Sequence, residues 1–413
     1  MSENKKRRIG LKDIITFAVL CIGNGTIFMP AYCRSNFYDA FIEGFGVTNT
    51  QFGIMFSAFT IGMLGTYFIG GVITDKMSPR KMLTFSFAAT AVLTVVLSFF
   101  PSFYIACGVY FCMGLSSTMT FYAPLIKATR QFGQRVGGES KALGFMEGGR
   151  AIWGTVSGAV VSAVFVALAG GVMGLRAVLW IYAVILVACA IASYFCFTDD
   201  AGEDTYKGNV LVQVKDCLKN PGVWILALMV MGAYAITSTM TGYTSLLATA
   251  CFSIPMSYAT FVALVPSVVN PIGAFIGGIL GDKMGATKTV IVLVVLMMIS
   301  AFAITILPNG ISGAIPFLII FVILSIFIGA VRGQYYAPMR EAGIPMALSG
   351  TATGLIATIG YTPDLYLSII TGRLLDNPDQ IVAFKQVIYI LCGFGVFAIV
   401  MGICLMQIVK KRK

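Results

Sequence analysis

Five ionisable side chains stand inside long apolar stretches of this 413-residue sequence: Arg34, Glu147, Arg150, Arg332 and Asp364. Burying a charge in hydrocarbon costs about 2.5 kcal/mol or more, so each needs a partner or a polar cavity. Three cations against two anions leave one positive charge over. An unpaired guanidinium in a low-dielectric cavity is best neutralised by an anionic ligand, gripped through two parallel N–H donors. The chemistry on offer is anion recognition rather than bond making. Histidine is absent, which removes the commonest metal ligand and the side chain best suited to carry a proton near neutral pH. No Ser/His pairing or glycine-rich phosphate loop occurs. Neither an enzyme nor a bound cofactor or metal is expected.

Glu147 and Arg150 stand three apart in GFMEGGRAIWG, a spacing that puts both on one helix face and allows a local ion pair. Asp364 follows Gly360-Tyr361-Thr362-Pro363. A proline break beside a buried carboxylate suits a hinge whose freed backbone groups face a polar cavity. Asp364 is the candidate to titrate in coupling, and a salt bridge to Arg332 fits it equally. Arg332 itself fits a cavity wall or the cytoplasmic mouth. Arg34, after an apolar run that starts at Ile15, fits either an anion ligand or an outer-interface anchor reaching the headgroups. The hydroxyls of Tyr122, Tyr335, Tyr336 and Tyr361 are candidates to line the cytoplasmic half of a cavity.

The elements that must hold these residues follow from composition. Hydrophobic residues make up 58% of the chain and charged residues 11%, where a soluble domain carries roughly 25% charged. A mean hydropathy of +0.90 excludes a single anchor on a soluble domain. Apolar windows predict twelve transmembrane helices near 13–42, 50–71, 82–100, 103–126, 142–169, 174–197, 221–250, 257–280, 288–308, 312–338, 348–372 and 382–409. The fold class is an all-α polytopic membrane protein.

The net charge of +11 has its explanation in topology, since Lys and Arg gather in cytoplasmic loops, and not in nucleic acid. With both termini inside, 22 of the 28 Lys and Arg residues fall in cytoplasmic segments, and Arg176, Arg373 and Lys385 fall outside. The ten cysteines lie mostly in apolar runs without CxxC spacing and read as small apolar residues, not a disulfide framework. The polar stretch Thr198–Asn220 sits at the midpoint and reads as a cytoplasmic linker between two halves, 1–197 and 221–413. GGVITDKMSPRK at 70–81 is echoed by GGILGDKMGATK at 277–288, and FYAPLIKA at 121–128 by YYAPMREA at 335–342. Two ordered echoes support an internal duplication.

The loop from Gly71 through Asp75, Lys76, Arg80 and Lys81 resembles the G-x-x-x-D-[RK]-x-G-[x]-[RK]-[RK] signature of the major facilitator superfamily, with Ser78 where a glycine is usual. A weaker copy runs through Asp282, Lys283, Gly285 and Lys288. The resemblance implies two pseudo-symmetric six-helix bundles built of inverted triplets, with the substrate site at their interface. It also implies gating roles for Asp75, Arg80, Lys81 and Asp282. Helices 1, 4, 7 and 10 line the cavity in that family, which brings in Arg34 and Arg332. Tyr32-Cys33-Arg34-Ser35-Asn36-Phe37 resembles a stretch of the organophosphate:phosphate antiporters and their anion-transporting relatives, in which the arginine is a substrate ligand.

By that match Arg34 grips the anion, with Tyr32 and Asn36 nearby. The seventh helix lacks the antiporters' second arginine and reads Thr237-Ser238-Thr239-Met240-Thr241, which disfavours inorganic phosphate. The substrate-binding set is then Arg34, Arg332, Tyr32, Asn36, Thr237, Thr241, Tyr335 and Tyr361, with Asp364, Glu147 and Arg150 as coupling candidates. The expected function is secondary transport of a small organic anion of carboxylate, sulfonate or sugar-acid type by a monomer in the cytoplasmic membrane. Protons or a counter-transported anion drive it. Alternatives are an exporter of amphipathic drugs, against which stands the excess of buried arginine, and a non-transporting sensor.

Cysteine-accessibility labelling from either side of the membrane checks the topology. Cysteines introduced into the 198–220 segment should react only with reagent presented from the cytoplasm.

Overall fold

A computed structural model describes residues 10–136, 139–197, 210–345 and 348–412. Residues 198–209 of the expected linker and the basic residues before Gly10 lie outside the described set. Among the described residues every regular element is helical. The first half comprises α1 (Leu11–Thr26), α2 (Met29–Tyr32), α3 (Arg34–Phe45), α4 (Asn49–Lys76), α5 (Pro79–Leu97), α6 (Phe103–Thr118), α7 (Tyr122–Val136), α8 (Glu139–Ala167) and α9 (Gly171–Cys196). A short helix α10 (Val210–Lys219) precedes α11 (Pro221–Gly242), α12 (Thr244–Phe252), α13 (Met256–Val262), α14 (Val265–Met284) and α15 (Ala286–Thr305). The chain ends with α16 (Ala314–Gln334), α17 (Ser349–Gly360), α18 (Pro363–Leu375) and α19 (Gln380–Arg412). Nine stretches among the described residues are long and apolar enough to cross a membrane. The helices α4, α6 and the pair α17 with α18 complete twelve passages.

Five of the helices predicted as continuous are interrupted, at six places in all, and four of the interruptions have one cause. A proline has no N–H for the carbonyl four residues back and its ring crowds that carbonyl. Pro30, Pro124, Pro266 and Pro363 face Thr26, Thr120, Val262 and Ile359, and α1, α6, α13 and α17 each end within two residues of that carbonyl. The other two breaks fall at Cys33, between α2 and α3, and after Gly242, where Tyr243 leaves the helical region at φ −117°, ψ 20°. Pro271 is by contrast carried inside α14. The two echoed segments behave differently. α5 and α15 start at Pro79 and Ala286, the same 207-residue offset that separates Asp75 from Asp282. FYAPLIKA enters the helix α7, whereas YYAPMREA forms a 3-10 turn at Ala337–Met339.

The contacts divide the chain into two compact units. One contains Met1–Cys33, Glu43–Gly46 and Ala58–Tyr206; the other contains Arg34–Ile42, Val47–Ser57 and Lys207–Lys413. The first unit is centred on a cluster that includes Leu20, Leu83, Phe87, Phe121, Met146 and Leu186, with the Phe87 and Phe121 rings edge to face at 5.5 Å. The second unit takes in the start of α3 and the first turns of α4, which pack along α18. Gly372 abuts the backbone of Asn49, and Gly53 abuts that of Ser368, at approaches no side chain would permit. One turn farther along, the Ser57 hydroxyl donates to the Leu365 carbonyl at 2.6 Å.

The first turn of α4 has all its leading N–H groups accounted for. Thr48 and Gln51 form a reciprocal box, with Gln51 N–H donating to Thr48 Oγ1 at 3.2 Å and Thr48 N–H to Gln51 Oε1 at 3.0 Å. The N–H groups of Asn49 and Thr50 donate to Asp376 at 2.7 and 3.1 Å, and the Thr50 hydroxyl donates there too. Partial burial pushes the Asp376 carboxyl up, but these donors together hold it below its ordinary value.

Removing such a cap costs about 1 kcal/mol, so Asp376→Asn should lower the stability of the purified protein by about that much at neutral pH. A carboxyl depressed by folding contributes fully above its unfolded pKa, and the contribution is lost as pH falls through the folded one. The difference between Asp376→Asn and the parent in thermal unfolding should therefore stay constant from neutral pH down to about pH 5 and shrink below about pH 4.

Candidate functional site

On α11 the residues Tyr234, Thr237, Ser238 and Thr241 recur at helical spacing and so share a face. Around this face the second unit gathers several of its buried polar groups. Asp364, 3% exposed, is the second residue of α18, where free N–H groups at a helix start favour a carboxylate. It accepts a hydrogen bond from the Tyr234 hydroxyl at 2.7 Å and another from the Ser238 hydroxyl. Thr237 Oγ1 and the Tyr335 hydroxyl lie 2.9 Å apart, as do the hydroxyls of Tyr336 and Tyr361. The Tyr234 and Tyr361 rings are tilted against each other at 4.5 Å.

Arg34 opens α3 and is only 4% exposed. Its guanidinium carbon lies 3.4 Å from the centre of the Phe56 ring and 5.3 Å from that of Tyr243. Its Nη1 is buried with no hydrogen-bond partner. Such an atom loses its hydration without recovering a bond, and a ligand oxygen can supply one.

Arg34, Thr237, Tyr335, Tyr361 and Asp364, all singled out in the sequence, thus belong to the second unit: the last four gather around Tyr234, and Arg34 lies against Tyr243 and Gly242 at the end of the same helix α11. The others are placed elsewhere or are engaged. The Asn36 amide donates to the Thr260 carbonyl at 3.1 Å and its oxygen accepts from Ser35 at 2.9 Å. The Thr241 hydroxyl turns back to the Thr237 carbonyl at 2.7 Å. Arg332 is exposed in the last turn of α16. In the first unit, the Tyr32 ring stands edge to face on Phe59 at 5.6 Å. Glu147 and Arg150, both about half exposed, form an ion pair at 2.7 Å, and Asn24 donates to Glu147 at 3.4 Å.

Of the loop residues, Arg80 stacks over Tyr194 at 4.7 Å and Lys81 is exposed. Asp282 is exposed in the last turn of α14. Asp75 is in the last turn of α4, and its side chain lies outside the described set. Sequence reasoning passed over Tyr234, Tyr243 and Phe56, and noted Ser238 only as part of the hydroxyl-rich stretch 237–241. Tyr234 could have been found from its spacing to Thr237, Ser238 and Thr241; nothing local marks Phe56.

No group of three or more Cys, Asp or Glu side chains that could hold a metal ion occurs among the described residues. The arrangement supplies donors, aromatic faces and one buried carboxylate, which suits binding and release.

Over 410 residues the chain is 26% identical to Inner membrane protein YihN of Escherichia coli (strain K12), with 96% of each chain covered. Its fold is similar to that of the nucleoside transporter NupG, with a TM-score of 0.73 at 14% identity over 97% of this chain and 99% of that one. A bacterial homolog of the human lysosomal transporter Spinster, in an inward-facing and occupied conformation, matches with a TM-score of 0.74 at 12% identity over 96% of both chains. The profile of the Major Facilitator Superfamily matches residues 16–363. Twelve helical passages, duplicated loop motifs and a match over most of its length establish that this chain is a transport protein of the major facilitator superfamily.

Proposed function

We propose that this transporter moves a small, hydroxylated organic anion across the cytoplasmic membrane by alternating access, with Arg34 as its anion ligand. The observation that carries the reading is the buried Nη1 of Arg34, which has no hydrogen-bond partner. A headgroup anchor would direct that edge to the membrane surface, whereas a ligand-binding arginine keeps it for an incoming oxygen. The hydroxyls of Thr237, Tyr335, Tyr336 and Tyr361 supply donors and acceptors for a polyhydroxylated body. Asp364 is the group that takes the coupling proton if transport is symport; without it the protein works as an anion exchanger. Both termini are cytoplasmic and the monomer is the working unit in this reading.

A thermal-shift comparison of gluconate, ethanesulfonate and glycerol phosphate with the neutral nucleoside uridine tests the anion preference. Only anions should stabilise the purified protein, by about 2.7 kcal/mol at 100 times the dissociation constant. Stabilisation by uridine alone would replace the reading with nucleoside transport.

Arg34→Ala loses charge and fork together and should weaken gluconate binding by the roughly 1.5 to 3 kcal/mol of a charge-assisted hydrogen bond. Arg34→Lys should keep weak binding. Wild-type affinity in Arg34→Ala would remove Arg34 from the site. Asp364→Asn should retain counterflow and abolish accumulation driven by a proton gradient. An unchanged pH dependence of uptake would take Asp364 out of coupling.

A further inference from the structure

A buried guanidinium must recover the hydration it gives up. Among the described residues the ion pair within 4.0 Å is Glu147 with Arg150, so no carboxylate does this for Arg34 at contact distance. Phe56 is at hand instead. The guanidinium carbon lies over the Phe56 ring at 3.4 Å from its centre, so close that the nitrogens clear the ring only if the two planes run nearly parallel. The negative face of the ring attracts the cation. Stacking also leaves the hydrogen-bonding edges alone, because all five guanidinium donors lie in the plane and none points at the ring. The Phe56 ring has no exposed surface, and a well-packed ring of that kind does not drift from its partner.

The remaining sides of Arg34 are confined too. The Tyr243 ring centre lies 5.3 Å from the guanidinium carbon, its side chain is a hydrogen-bond neighbour of Arg34, and a Cβ on Gly242 would come within 3.4 Å of Nη2. Nη1, itself buried, is the donor atom left without a partner.

We infer that Phe56 is a positioning and specificity residue for the anion site: its ring face fixes the plane of Arg34 and so directs the unpartnered Nη1 edge at the ligand. The inference rests on Arg34 being the anion ligand, and it adds a residue from α4 that touches no substrate. A guanidinium held in one plane offers a carboxylate or sulfonate a pre-set pair of donors; one free to rotate loses that advantage on binding. A planar carboxylate matches the fork best.

Two measurements test it. The first needs no ligand: a thermal-unfolding double-mutant cycle with Phe56→Leu and Arg34→Met. Leucine keeps an apolar side chain and removes the aromatic face. The loss caused by Phe56→Leu should be clearly smaller in the Arg34→Met background than in the parent, and additive losses would overturn the stacking. The second reads gluconate and ethanesulfonate affinity. Phe56→Leu should weaken binding about tenfold, in line with a desolvated cation–π contact, while Phe56→Tyr, which keeps the face, should stay within about threefold. Unchanged affinity in Phe56→Leu, with Arg34→Ala still defective, would overturn the positioning role and leave the anion site standing. If neither anion stabilises the parent protein, or Arg34→Ala binds like it, the anion reading itself falls and the role of Phe56 goes with it.

Discussion

Hydrocarbon offers a peptide group nothing to bond with, and most of this structure follows from that. Each unsatisfied backbone N–H or C=O in a bilayer costs several kcal/mol, so the chain must be helical wherever it meets lipid. A helix can be interrupted only where polar side chains take up what is released. Three interruptions in the second unit set a polar group at the break. Arg34 starts α3, Tyr243 stands between α11 and α12, and Asp364 is the second residue of α18. The breaks thus define the site as much as the side chains do, because each sets a functional group beside freed backbone. Discontinuous helices at binding sites are a general solution in secondary transporters.

The same constraint explains how the many hydroxyl groups are tolerated. Thr66, Thr94, Thr129 and Thr244 each donate to the carbonyl four residues back on their own helix. They are satisfied locally and can face any neighbour. Thr237 and Ser238 differ in reaching across to Tyr335 and Asp364. A hydroxyl that bonds between helices must be re-paired when those helices move, which distinguishes the groups around Tyr234 from the self-contained threonines.

Local rules made much of the architecture legible. Hydropathy located all twelve passages, and the duplicated loop placed two helix starts 207 residues apart. The break at Gly360–Pro363 was readable from the proline, and the breaks before Pro124 and Pro266 obey the same steric rule although an apolar window runs straight through them. Pro271 marks the limit of that rule, since α14 continues past it. The Glu147–Arg150 contact needs only a three-residue spacing. Non-local partners were invisible. One phenylalanine among 31 carries no sign that it stacks on a cation, and the Asp376 carboxylate shows no sequence relation to the turn it caps. The echo of FYAPLIKA does not extend to local structure, because the second copy forms a 3-10 turn where the first forms a helix.

The cap on α4 bears on how the protein is made. Asn49 and Asp376 are separated by 327 residues, and at about 5 to 20 residues per second synthesis of that length takes roughly 16 to 65 s. For that interval the first turn of α4 has the Thr48–Gln51 box but not its carboxylate. The start of the second hydrophobic segment is therefore completed only when nearly the whole polypeptide has emerged from the ribosome. Maturation of the nascent chain cannot proceed strictly from the N-terminus onward, and the final docking of α18 closes a structure begun by the earliest segments to enter the bilayer.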